Sequence, residues 1–538
     1  MAEEFSASEQ AALAPYFTSL TGPVFALVDL PEVVKGALFA RYSRSPKSLR
    51  RLFVDEFVGA AGLSAAAGRG AAHTVAGTQR AEQLYERVLS EYGDDSVAQL
   101  GGVHLACEGA SNLLTKVLEW GRLMAYLEQS TRYIPYDDRP DGRYRYHVPA
   151  ELTGTLRDRY VATLDRCFDT YRAWLPKLRA FYEAKFPRDP AEAEGVYRMT
   201  IRAKALDTLR GLLPAATTSN VGIYGTGQGY EQLLLRMRAH PLREVRDYAE
   251  LMLVELRKVI PAFLKRLDVP ERGGAWSAYL EETRRETREV VRRLVPPMSA
   301  SRTTRTPDAV VALTDFDPDG EVKIVAAALY AVSSRGDAEL LETARRMTAD
   351  ERTAVLAAYV GKRLNRRHKP GRAFERTSYR FDVLGDYAAF RDLQRHRLLT
   401  LEWQRLTPGH GYVMPEEIDD AGAAEDWRRV LGDSAELHDA IEAAGLPDVA
   451  AYAVSMAYRV RFYMEMNARE AMHVIELRTT PQGHPSYRQI CQAMHRLIAA
   501  RHPAIAAAMT FADHSTVDLE RLEAERAAAR RREAAGGR

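Results

Sequence analysis

The densest group of side chains able to do chemistry is Arg395-His396-Arg397, with Arg391 four residues earlier. A guanidinium presents five donors in a rigid fork and keeps its charge when desolvated, so arginines in packed surroundings need phosphate or carboxylate beside them. Phe390, Leu393, Leu398, Leu399, Leu401 and Trp403 make these surroundings packed. If the segment is helical, Arg391 shares a face with the triplet, and the group suits a polyanion. A second group is Glu128-Gln129-Ser130-Thr131-Arg132-Tyr133. Its hydroxyl and guanidinium, two residues apart, can grip one phosphate together, with an ordinary polar turn as the alternative. A third group, Asn467, Arg469, His473 and Arg478, lies in NAREAMHVIELR.

No metal site is expected. There is no HExxH, and helical spacing would disperse His473, His484, His495 and His502. Asp317, Glu321, Glu416 and Glu417 read as loop or cap acids. Cys107, Cys167 and Cys491 are far apart without a CxxC, so each reads as a small buried hydrophobe and none as a nucleophile, disulfide partner or zinc ligand.

The elements that must position these groups are soluble and globular in composition, with 46% apolar and 28% charged residues. A length of 538 residues implies two to four domains. A net charge of +2 gives no reason to expect nucleic acid. The N-terminus MAEEFSASEQ is acidic and no apolar run would span a bilayer, so the expected location is cytoplasmic, with no membrane partner. The spacing predicts a helix with Val33, Val34, Leu38 and Phe39 inward, and a flexible Gly/Ala connection over 59–73. A core helix is predicted to follow Asp94, Asp95 and Ser96. Residues 151–265 read as mostly helical, with Val245, Tyr248, Met252, Leu256 and Val259 on one face. Gly222, Gly225, Gly227 and Gly229 do not make GxGxxG, because position 230 is Tyr. Residues 296–307 read as a linker, and the Ala/Glu/Arg tail, 516–538, is expected to fray.

After the linker the pattern begins again. ALFARYSR from Ala37 matches ALYAVSSR from Ala328 at five of eight positions. Gly121-Arg122-Leu123 matches His396-Arg397-Leu398, and the same offset pairs Gln129 with Gln404. Arg238 with His240-Pro241 parallels Arg478 with His484-Pro485. Order is preserved, which implies two diverged copies of one domain, 1–295 and 308–515.

Arg-His-Arg after RHKPGRAFERTSYRFDVLGDYAAFRD and before NAREAMHVIELR resembles the flavin-dependent thymidylate synthase (ThyX) family. The resemblance implies an α+β fold of two tandem ThyX-like domains, helix-rich with antiparallel sheets and packed as a pseudo-dimer. It further implies methylation of dUMP to dTMP with methylene-tetrahydrofolate and reduced FAD, with NADPH as reductant. The flavin grip would come from His368, Arg395, His396, Arg397, Asn467, Arg469 and His473. The substrate loop would be Glu128, Gln129, Ser130, Arg132 and Tyr133 with Arg478 near the pyrimidine, and Arg478 and Arg397 would be the catalytic pair. Neither copy keeps a whole motif. Arg405 stands where the family has Ser, Arg372 and Arg376 depart from the pattern around His368 and Glu375, and Gln99 replaces an acid in the first copy. Only Asn220 and Arg238 loosely match the NAR-type segment there. Family members are tetramers with sites between subunits, so the halves could share a site and the chain could dimerise. Alternatives are a flavoenzyme acting on another pyrimidine nucleotide and a catalytically silent nucleotide- or flavin-binding scaffold.

Overall fold

The computed structural model describes residues 4–42, 45–58, 99–295 and 310–536. The connection at 59–73, the helix start at Asp94 to Ser96 and the linker at 296–307 lie outside the described residues.

The expected core helix is instead β1 (Gly102–Ser111), followed by a short helix α1 (Asn112–Leu118). Val103 and Cys107 are buried along it while their neighbours are more exposed, the period-2 pattern of a strand. Gly101, Gly102 and Gly109 would each cost a helix about 1 kcal/mol. Gly109 also has φ 67°, which no helix tolerates.

The first copy continues with β2 (Ala125–Glu128), α2 (Gly154–Lys185), α3 (Glu194–Leu209), β3 (Thr218–Thr226), α4 (Gly227–Arg238) and α5 (Arg243–Arg257). The strand β3 interrupts the region read as helical. On α5, Val245, Met252 and Leu256 are buried as expected, but Val259 lies past the helix end and is exposed. The second copy has an extra strand β4 (Val311–Phe316), three helices over 320–360, and then the same order except that one long helix stands where the first copy has α2 and α3: β5 (Ser378–Asp386), α6 (Tyr387–Leu393), β6 (Thr400–Trp403), α7 (Ala424–Ala443), β7 (Arg459–Asn467), α8 (Ala468–Arg478) and α9 (Pro485–Ala499). The sheets repeat it too, β1-β3-β2 and β4-β5-β7-β6. The fold is α+β, two tandem domains of one type.

Two compact units do not follow the linear halves. One comprises Met1–Glu108, Val117–Glu128 and Asn220–Met298, and the other Gly109–Lys116, Gln129–Ser219 and Ser299–Arg538. In the first, β2 runs antiparallel to β3 from Ala125↔Tyr224 to Glu128↔Val221. Its buried side chains include Val221 and Ile223 of β3, Tyr230 and Leu234 of α4, and Leu253 of α5.

In the second unit, β5 pairs with β7 from Ser378↔Asn467 to Asp386↔Arg459, and β6 lines the other side of β7. Tyr379, Phe381 and Val383 alternate inward against Val460, Phe462 and Met464. The first copy's helices α2 and α3 belong to this unit. Tyr171, Leu178, Ile201 and Leu206 join Trp427 and Leu431 of α7 in one core, and Trp174 Nε1 donates to Asp426 at 2.7 Å. Within the described residues the tail, expected to fray, is helical. It forms α10 (Leu522–Gly536), tied down by Arg526 Nε donating to Glu192 at 2.6 Å. Among its described charges Arg526 pairs with Glu192 and Arg521 faces Glu525, while Glu523, Arg530 and Arg531 are exposed.

Candidate functional site

Helix α6 starts at Asp386, whose side chain accepts from the Ala389 N–H at 2.8 Å, and stops at Leu393. Arg395, His396 and Arg397 therefore lie in the turn between α6 and β6 rather than on a helix. The shared face with Arg391 does not exist: Arg391 is buried inside α6 with Nη1 3.3 Å from Met456 Sδ. Within the triplet, Arg395 is half-buried, His396 buried and Arg397 exposed.

Asp392, three residues before Arg395, is the hub of an arginine cluster. Its carboxylate lies 3.6 Å from Arg210 Nη1, 3.7 Å from Arg395 Nη1 and 3.8 Å from Arg478 Nη1. Burial alone would raise its pKa, but Arg395, Arg210, Arg478 and Arg132 together hold it well below the usual carboxylate range. Arg132, from the first copy's polar loop, forks onto Asp207 with Nε at 2.8 Å and Nη2 at 2.6 Å from Oδ2. Tyr487 of α9 joins the two copies' arginines. Its hydroxyl accepts from Arg132 Nη1 at 3.4 Å, and the Arg478 guanidinium lies 5.5 Å from its ring centre. Arg210 is 3% exposed, yet its Nε and Nη2 make no hydrogen bond. Arg521 adds a fifth guanidinium, 4.3 Å above the Tyr133 ring. Five arginines against three carboxylates, Asp207, Asp392 and Glu525, leave excess positive charge in a largely buried place, an arrangement suited to an anion.

Arg478 Nε donates to His396 Nε2 at 2.9 Å, and His396 Nδ1 faces Glu470 Oε1 at 3.6 Å. His473, one helical turn beyond Glu470, sets its ring edge-on to His396 at 5.5 Å. His473 thus meets a histidine from outside its own helix, and the ligand atoms of His396, Glu470 and His473 lie within 4.8 Å of one another. Three such groups can hold a cation. Against that, Lys369, Arg469 and Arg397 act on Glu470, Lys369 and Arg366 act on His473, and Arg478 already covers His396 Nε2. That much positive charge favours an anionic ligand over a dication. Burial raises the Glu470 carboxyl and pushes His473 down to about 4. It pushes His396 and His484 well below the ordinary imidazole value, so all three rings are neutral near pH 7.

The other expected residues are less concentrated. Asn467 caps α8, its Oδ1 accepting from the Glu470 N–H at 2.9 Å. Arg469 Nε donates to the Pro370 carbonyl at 2.9 Å, with Nη1 3.5 Å from Glu375. His368 is exposed and engaged in its own turn, where Nδ1 accepts from the Leu364 N–H at 3.3 Å. Glu128 is buried at the end of β2. The Gln129 carbonyl accepts from Ser219 Oγ at 3.3 Å, and Ser130 Oγ accepts from the Arg132 N–H at 3.3 Å, so the loop is a hydrogen-bonded turn that also aims Arg132 inward. Arg405, on the matching loop of the second copy, pairs instead with Glu442 at 2.7 Å. Arg238 ends α4 as Arg478 ends α8, but Asn220 does not match Asn467. The equivalent cap of α4 is Thr226.

Sequence reasoning missed Asp207, Arg210, Asp392, Tyr487 and Arg521. Asp392 alone carried a signal, an acid three residues from an arginine triplet. The cysteines are buried thiols, with Cys107 pushed up by burial to about 11 and Cys491, mainly by burial, to about 12, so neither is activated.

The family model described as thymidylate synthase complementing protein matches residues 54–262 and again 312–504. A UPF0159 protein of Chlamydia pneumoniae is 38% identical over 97% of this chain and 98% of its own length. A UPF0159 protein of Thermoplasma acidophilum is 30% identical over 91% and 97%. A flavin-dependent thymidylate synthase of Clostridium tetani is 26% identical over 33% of this chain and 67% of its own. Among solved structures, the UMP/dUMP methylase PolB of Streptomyces cacaoi, bound with 5-Br dUMP, has a TM-score of 0.29 and 19% identity over 38% of this chain and 96% of that one. With two matches that follow the two runs of the strand–helix order, the chain belongs to the thymidylate synthase complementing protein (ThyX) family and carries its domain twice.

Proposed function

We propose that this protein methylates dUMP to dTMP in the manner of a flavin-dependent thymidylate synthase. The observation that carries the reading is the arginine cluster, in which Arg132 of the first copy and Arg478 of the second meet on Tyr487 and around Asp392. Excess guanidinium charge there fits a nucleotide phosphate, with Ser130, Gln129, Glu128 and Tyr133 on the loop that aims Arg132 and with Arg478 toward the base. Arg395, His396, Arg397, Asn467, Arg469, His473 and His368 would hold FAD, whose pyrophosphate suits the cations acting on Glu470. When bound, FAD supplies the hydride, with NADPH as reductant and methylene-tetrahydrofolate as carbon donor. The chain's own groups bind and orient. Neutral His396 accepts from Arg478 Nε–H through the Nε2 lone pair and so orients that guanidinium, and the arginines stabilise negative charge as it develops on the pyrimidine. Two chains would pair to imitate the tetramer of single-domain relatives.

The test is the visible spectrum of the purified protein with identification of released cofactor, followed by dUMP-dependent dTMP formation. Bound FAD with turnover supports the reading. A colourless protein that takes up no added FAD but binds dUMP would leave a nucleotide-binding scaffold, a role consistent with the loss of the second copy's loop to the Arg405–Glu442 pair.

A further inference from the structure

The family match ends at residue 504, yet the chain beyond it is folded onto the site. We propose that this C-terminal segment supplies Arg521 as an additional ligand for the nucleotide phosphate, closing the anion site with a residue from outside the family domain. The proposal rests on the nucleotide reading above.

Residue 521 is held from both sides by contacts that do not involve it. Lys204 Nζ lies 2.8 Å from Glu520 and 3.2 Å from Glu417, and burial, which would lower this lysine's pKa, is outweighed by the two carboxylates. On the other side Arg526 reaches Glu192. Between these anchors the Arg521 side chain is 12% exposed and lies on Tyr133, the neighbour of Arg132. Among the described residues its nearest carboxylate, Glu525, is 3.9 Å away, and its Nε is buried without a hydrogen bond. Burial first and Arg132 second push its pKa down to about 10.

A buried guanidinium next to another, with donors idle, is a costly arrangement when the site is empty. Arg210 shares the condition, with two idle nitrogens at 3% exposure. A phosphate dianion beside Arg132 and Arg521 would relieve their repulsion: its oxygens can accept from several forks at once, and its charge offsets the arginine excess. Tyr133 keeps the Arg521 plane fixed, so little side-chain entropy is lost on binding.

The experiment uses the full chain and its Arg521→Ala and Arg521→Lys variants, with dUMP and deoxyuridine as probes in calorimetric titrations. A phosphate ligand predicts that Arg521→Ala weakens dUMP about 10- to 100-fold and leaves deoxyuridine unchanged, with Arg521→Lys in between. Equal loss of dUMP and deoxyuridine would mark Arg521 as structural and overturn the proposal. If wild type binds dUMP and Arg521→Ala matches it, only the role of Arg521 fails. If wild type binds no dUMP, the nucleotide reading fails and takes the proposal with it.

Discussion

Asp392 is one carboxylate shared among several arginines, and the charge balance of the site turns on it. Replacing it with Asn leaves Arg210, Arg395 and Arg478 facing one another. Asp392→Asn should cost about 3 kcal/mol of stability in the ligand-free protein. The same change strengthens the pull on an anion, so dUMP should bind about tenfold tighter and its addition should raise the melting temperature more than in wild type. Paired thermal melts with and without dUMP test this, and a variant with weaker dUMP binding would refute the charge argument. The buried histidines set a pH limit. His473 is held at about 4 by burial, and His396 and His484 lie well below the ordinary value. In the unfolded chain each would titrate near ~6.5. At these rings the unfolded state therefore binds more protons below about 6.5, so their contribution to stability is complete above that value and declines as pH falls, through about 4 for His473. Denaturation midpoints at pH 7, 6 and 5 should fall in that order, and His484→Gln should flatten the slope. The triplet, the Glu128–Tyr133 loop and Arg478 were visible in the sequence because arginine and histidine clusters are conspicuous. Asp207 and Arg210 were not, because nothing local tells an inward-facing helix end from a solvated one.

Elements decide how these side chains are aimed. Helix α8 carries Arg469, Glu470, His473 and Arg478, and its first turn is fixed by Asn467, whose side chain satisfies the Glu470 N–H. Asn467→Ala should cost about 1 kcal/mol, and because the cap orients Glu470 against His396, flavin retention should fall with it. Urea denaturation together with bound-flavin absorbance checks both, and a stable variant that has lost its flavin would mean that Asn467 acts through the contact with FAD proposed above and not through the cap. Pattern reading located α5 and the order of the repeat, where apolar periodicity is strong. It failed at β1, whose alternation is short and diluted by alanine and glycine, and at α10, whose Ala/Glu/Arg sequence has no apolar stripe. The latter helix is held by ion pairs to distant residues such as Glu192, and these leave no periodic trace.

At the scale of the whole chain, duplication has allowed each copy to lose what the other keeps. The first copy's loop still presents Ser130 and Arg132, but its triplet has become Trp120-Gly121-Arg122. The second keeps Arg395-His396-Arg397, but Arg405 on its loop is committed to Glu442. The duplication was legible because matched segments recur in order, whereas the loop of one copy and the triplet of the other joining one compact unit was not, since that depends on β2 handing residues 129–219 to the second unit. Only the pairing of the first loop with the second triplet retains both halves of the motif, so the tandem chain should bind one dUMP. Titration calorimetry should give one equivalent per chain, removed by Arg132→Ala and untouched by Arg405→Ala. Two equivalents, or sensitivity to Arg405→Ala, would mean that the second loop still works and that Glu442 releases Arg405 when nucleotide arrives.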